Sequence, residues 1–163
     1  MIKFSAGEVF EMARQMERNG AAFYRKAAES VGEKDLRDLL LCLAAMEDDH
    51  EKTFANMADK LAASDRSRNA FDPDGQGAAY LRAMVVGKVF GSKDAGPAAR
   101  LTGTETPQEI LQTAIGLEND SILFYLGMKE AVSGDRGHVQ IDGIIRQEMG
   151  HVADLTQQLT ALP

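Results

Sequence analysis

Apolar residues recur at alternating spacings of four and three through one long stretch of the chain: Leu36, Leu40 and Leu43, then Phe54, Met57 and Leu61. That spacing is the core-facing stripe of an amphipathic helix. The gap in the middle keeps the register, but it holds Glu47 and His50 where two more apolar residues belong. A second stripe has the same interruption: Ile141 and Ile144, then Glu148 and His151, then Leu155. Two further stripes carry one acid each. Glu17 falls among Phe10, Ala13, Gly20 and Tyr24, and Glu118 falls among Leu111, Ile122 and Tyr125. Four glutamates and two histidines are thereby predicted to face the core of one helical bundle.

Caps and breakers set the limits of these elements. Two stretches, 1–72 and 108–162, have no proline and are rich in good helix formers. Ser5-x-x-Glu8 and Thr106-x-x-Glu109 are capping boxes, the second with Pro107 at the favoured first helical position. The pattern predicts helices over 5–30, 35–62, 106–132 and 139–162, with turns at 31–34 and 133–137. The segment from Asp72 to Gly103 carries two prolines and six glycines, the punctuation of a connection. A connection over 63–105 therefore links two helix pairs, 5–62 and 106–162, and a short helix is predicted inside it over 77–90. The reading is one all-α domain over 1–163.

The two pairs repeat. An offset of 101 places Glu8 on Glu109, Glu17 on Glu118, Phe23-Tyr24 on Phe124-Tyr125, Glu47 on Glu148 and His50 on His151, without a gap. Most other aligned positions differ, so the halves share chemistry more than packing. An unpaired buried carboxylate costs several kcal/mol, roughly, and four facing one another also repel. The stripes supply no Lys or Arg to match them. Two divalent cations would neutralise four carboxylates, and neutral imidazoles add nitrogen ligands that suit iron or manganese better than magnesium.

One Glu from each of two helices plus Glu-x-x-His from each of the other two (Glu17, Glu118, Glu47-Asp48-Asp49-His50 and Glu148-Met149-Gly150-His151) resembles the rubrerythrin-like branch of the ferritin-like di-iron superfamily. The resemblance covers both helical blocks, about two thirds of the chain. It implies a ferritin-like four-helix bundle whose long crossover connection is the 63–105 segment. It implies two Fe ions, with Mn as an alternative and Zn as a substitute. Glu47 and Glu148 would bridge them, Glu17 and Glu118 would be terminal ligands, and His50 and His151 would complete the set. Tyr24 and Tyr125 would be hydrogen-bond partners of the ligating carboxylates. The implied activity is a di-iron oxidoreductase acting in oxidative stress, reducing hydrogen peroxide or reacting with dioxygen; a homodimer is expected, and composition points to a cytoplasmic location. Two features depart from the family. With Cys42 as its one cysteine, the chain has no rubredoxin-like Cys-x-x-Cys pair, so electrons are expected from a separate rubredoxin-like protein. Where rubrerythrins tend to carry a further glutamate one turn after the third-helix ligand, Ser121 stands here.

Composition narrows the alternatives. The chain has 25 acidic and 18 basic residues, for a formal net charge of −7. That balance argues against nucleic acid or an anionic membrane as partner, since both need clustered Lys and Arg. No signal-peptide-like or membrane-spanning run is expected. His50-Glu51 lacks the second zincin histidine, because Phe54 stands there, and no phosphate loop or nucleophile elbow occurs. Cys42 lies off its helix stripe and is expected to be a small buried or half-buried residue; His138, beside a turn, is expected to be exposed. Two alternatives remain: a ferritin-type ferroxidase for iron storage or detoxification, and a helical interaction module that holds metal structurally or not at all. Two bound divalent ions would bring the formal charge from −7 to −3.

Overall fold

The structure, a computed structural model, describes residues 5–60, 79–81, 96–131 and 135–163. Four long helices dominate it: α1 (Ala6–Ser30), α2 (Lys34–Lys60), then, after the short α3 (Pro97–Arg100), α4 (Pro107–Ala131) and α5 (Asp135–Ala161). Among the described residues there is no β-strand. Both capping boxes form. The Ser5 amide donates to Glu8 Oε2 at 2.7 Å and the Glu8 amide donates back to Ser5 Oγ at 3.2 Å. Thr106 and Glu109 repeat the exchange at 2.8 and 3.2 Å.

The last helix departs from the sequence expectation. It begins at Asp135 and not at Val139, taking in residues read as turn. Gly137 costs a helix only about 1 kcal/mol relative to Ala. Of the short helix expected over 77–90, residues 79–81 are helical and the others lie outside the described residues. Residues 61 and 62, the expected end of the second helix, also lie outside them.

The apolar core forms two clusters, and their membership fixes the topology. One joins the N-terminal half of α1 (Val9, Phe10, Ala13) to the end of α2 (Phe54, Met57), the second half of α4 (Phe124, Met128) and the start of α5 (Ile141, Ile144). The other joins the C-terminal half of α1 (Phe23, Ala27) to the start of α2 (Leu36, Leu40, Leu43), the start of α4 (Ile110, Leu111, Ala114) and Leu155 of α5. Each helix hairpin is thus antiparallel, α1 also runs antiparallel to α4, and α2 runs parallel to α4. Helix α2 ends at one end of the bundle and α4 begins at the other. The chain between them therefore has to travel the bundle's length, roughly 40 Å for helices of this size. The middle of all four helices falls between the two apolar clusters, and there the interrupted stripes meet.

Equivalent points of the repeat hold this crossover. On α1, Lys26 Nζ donates to the carbonyls of Ala98 and Leu101 at 2.9 and 2.8 Å, tying down α3. On α4, the position 101 further on is Gly127, and Tyr80 and Leu81 pack against it. A Cβ at Gly127 would lie 2.7 and 2.8 Å from two Tyr80 ring carbons. At Gly143, by contrast, a Cβ meets nothing within 4 Å. Gly143→Ala is expected to stabilise the protein by about 0.5–1 kcal/mol through helix propensity. Gly127→Ala is expected to cost about 1–3 kcal/mol through overpacking, despite the same propensity gain. Thermal melts of the two variants should move in opposite directions.

Candidate metal centre

The buried polar or charged residues among the described ones are six: Glu17, Glu47, His50, Glu118, Glu148 and His151. They are the six predicted from the stripes, and all come together. They form two groups of four, Glu17/Glu47/His50/Glu148 and Glu47/Glu118/Glu148/His151, and in each group one ligand atom per residue lies within 4.8 Å of the others. Glu47 and Glu148 belong to both groups. Helix periodicity produces the arrangement, since Glu-x-x-His puts both side chains on one face of α2 and again of α5.

Both imidazoles aim Nδ1 inward. His50 Nδ1 is 3.0 Å from Glu148 Oε1 and 3.6 Å from both Glu17 Oε2 and Glu47 Oε2. His151 Nδ1 is 2.9 Å from Glu148 Oε2, 3.5 Å from Glu118 Oε1 and 3.6 Å from Glu47 Oε1. The rings stack with centroids 5.8 Å apart and planes 20° apart. Burial alone would push the imidazole pKa values down, but the carboxylates outweigh it: His50 is raised, and His151 is raised to about 10. Burial would raise Glu148, but contact with His151 and His50 pulls it down to about 2. Glu118 is lifted to about 8 and Glu17 is also raised, in both cases first by burial.

These groups fit a pair of cations. Glu47 Oε1, both oxygens of Glu148, and Nδ1 of each histidine are buried without a hydrogen-bond partner. Buried polar atoms are normally satisfied. Here the unsatisfied ones converge from opposite walls, as oxygen and nitrogen donors with no Lys or Arg among the buried residues described. That donor set suits iron, manganese or zinc.

Two tyrosines close the carboxylate ends, in a pattern the sequence did not specify. Tyr24 Oη donates to Glu118 Oε1, and Tyr125 Oη donates to Glu17 Oε1. Each tyrosine thus serves the glutamate of the other half. Seven residues along one helix is roughly 10 Å, out of reach of the glutamate on its own helix. The antiparallel neighbour brings the other one alongside. Burial raises both phenols well above their ordinary range, so they remain protonated donors.

Other expectations need correction. Cys42 is exposed rather than buried or half-buried, because it lies on the outer face of α2 beside exposed Leu41. His138 is half-buried rather than exposed, as α5 already includes it. Of the glycines inside helices, Gly127 serves a close approach, to the Tyr80 ring, whereas a Cβ at Gly20 would make an ordinary contact, 3.4 Å from Glu47 Cγ. Gly116, Gly143 and Gly150 have open space around them. Two features had no signal in the stripes. One is Gln147, whose Oε1 lies 2.9 Å from His50 Nε2. The other is a cavity of about 280 Å³ between α1, α3 and α4, lined by Met16, Asn19, Gly20, Arg100, Leu117 and Ser121 among others.

No protein-family model matches the chain, and no curated protein matches it in sequence. Among solved structures it is similar to a protein of Thermotoga maritima assigned as a ferritin-like diiron-carboxylate protein. The TM-score is 0.73 at 21% sequence identity, over 99% of this chain and 98% of that one. No described helix is long and apolar enough to cross a membrane. The chain has the all-α fold of the ferritin-like four-helix bundle, with the buried Glu/His cluster at its centre.

Proposed function

We propose that the chain holds two iron ions in its core and is an oxidoreductase that reduces hydrogen peroxide, or reacts with dioxygen, with electrons from an external donor. One observation carries this reading: the buried polar residues among those described form two four-residue groups sharing Glu47 and Glu148. Glu47 and Glu148 would then serve both ions, Glu17 and His50 one of them, and Glu118 and His151 the other. Manganese is the alternative metal, and zinc a substitute without redox chemistry.

Two ferrous ions, when bound, supply the two electrons that break an O–O bond. The chain's own residues do the rest. Tyr24 and Tyr125 hold their protons and pin one oxygen of Glu118 and of Glu17, respectively; at Glu17 the other oxygen, Oε2, faces His50, and at Glu118 the pinned Oε1 itself faces His151. The two apolar clusters keep bulk water from both ends of the layer. The cavity beside α3 supports access for a small oxidant from the side, because at Gly20 no side chain stands between its wall and the Glu47 stem. The donor is proposed to be a rubredoxin-like protein, and the working assembly a homodimer.

Glu47→Ala tests the reading at a shared position. Purified wild-type protein is expected to carry two ions per chain, and the variant to lose metal and peroxide turnover while its helical circular dichroism stays intact. Unchanged turnover in the variant would sink the proposal. Anaerobic loading with Fe(II), followed by oxidation with peroxide or with dioxygen, decides the oxidant. The ferroxidase alternative predicts a preference for dioxygen and a large shell by size exclusion.

A further inference from the structure

The repeat is close to a two-fold symmetry in the residues that line the cluster, yet it breaks one step outside them. Gln147, at the surface of α5, faces across to α2, where its Oε1 lies 2.9 Å from His50 Nε2. The position related to it by the offset of 101 is Met46, next to Glu47. A thioether is only a weak acceptor. Correspondingly, His151 Nε2 is buried and has no hydrogen-bond partner among the described residues.

We propose that the two cation positions are chemically unequal and that Gln147 is the positioning residue that makes them so. This rests on the di-metal reading above. An imidazole that binds a metal through Nδ1 carries its proton on Nε2. With an amide oxygen accepting that proton, His50 is held in the tautomer and ring orientation in which the Nδ1 lone pair faces Glu17, Glu47 and Glu148. The acceptor also makes the ring a stronger donor to the metal. His151 presents the same inward face, 2.9 Å from Glu148, without that support. The position built from Glu17, Glu47, His50 and Glu148 therefore fills first, and the position built around Glu118 and His151 fills second and empties first. A centre with one firmly held and one exchangeable ion suits a site that must be loaded in order.

The test is a titration of metal-free protein with Co(II), followed by calorimetry and by cobalt absorption. Wild type is expected to bind two ions in two steps separated by at least about 10-fold in affinity, the range over which such outer hydrogen bonds act. Gln147→Met should weaken the tight step by about 10-fold and merge the two, whereas Gln147→Glu, which keeps an acceptor oxygen, should preserve the split. Met46→Gln should strengthen the weak step. The ¹⁵N spectrum of metal-loaded wild type should show His50 with a slowly exchanging Nε2 proton, lost in Gln147→Met. Two ions binding in one step in wild type, or a split unaffected by Gln147→Met, overturns the asymmetry and leaves the di-metal reading standing. Absence of any binding overturns both.

Discussion

Replacing Glu118 with glutamine is expected to make the metal-free protein more stable while it removes one of the two proposed cation positions. The sign follows from linkage. Burial first, and then the neighbouring carboxylates, lift the Glu118 pKa to about 8 from an ordinary value of 4.5. Below the ordinary value the group is protonated in both folded and unfolded chains and contributes nothing. Between the two values the unfolded chain releases a proton that the folded chain keeps, so stability falls as pH rises and levels off above the folded value. At neutral pH the metal-free fold is therefore held down by on the order of 3 kcal/mol at this one side chain.

Glutamine keeps an oxygen for the Tyr24 hydroxyl and cannot ionise. His151 loses a partner at 3.5 Å but retains Glu148 at 2.9 Å. The net gain is put at about 2 kcal/mol, a rise in melting temperature of about 4–8 °C for a chain of this size. The gain should shrink as the pH of the melt is lowered toward the ordinary carboxyl value. Metal content should fall at the same time. A residue retained only for packing would show the opposite: glutamine neutral or destabilising at every pH, with metal content unchanged.

Such opposition between stability and function is also why the site was legible in the sequence. A stripe of period 3.6 says which face of a helix turns inward, and that is enough to identify Glu47 and His50 as buried once they stand on the stripe of Leu43 and Phe54. The offset of 101 then shows that a second helix makes the same costly choice at Glu148 and His151. Periodicity does not say which helix lies opposite. That is why the stripes place Tyr24 and Tyr125 in the core and the family resemblance implies a carboxylate partner for each, but neither says that each bonds the glutamate of the other half. Helix α5 starts earlier than the sequence pattern predicts because Gly134 and Gly137 both signal a turn, whereas the bundle carries the helix through Gly137. Gln147 was invisible for a different reason. It lies on the outer face, where the pattern is polar anyway, and only the crossing of α2 and α5 makes it a partner of His50.

Loading the metal-free protein with two divalent ions is expected to raise its melting temperature far more than any single substitution. A ligand that binds only the folded state adds about 4 kcal/mol when present at 1,000 times its dissociation constant. Two ions would add about 8 kcal/mol, or about 15–30 °C. A chelator should return the melt to its starting point. Protons should move as well, because ligands must give them up to bind. In the metal-free core at neutral pH, His151 at about 10 and Glu118 at about 8 both hold protons, and His50 and Glu17 are shifted in the same sense. Loading should therefore acidify a weakly buffered solution, and the apparent affinity should climb as pH rises from 6 to 8. Calorimetry in two buffers of different protonation enthalpy would count the protons released. A structural bundle with no metal predicts neither the thermal shift nor the acid. A bundle whose carboxylates and imidazoles had already given up their protons would give the shift without the acid, whereas the raised Glu118 and His151 here predict both.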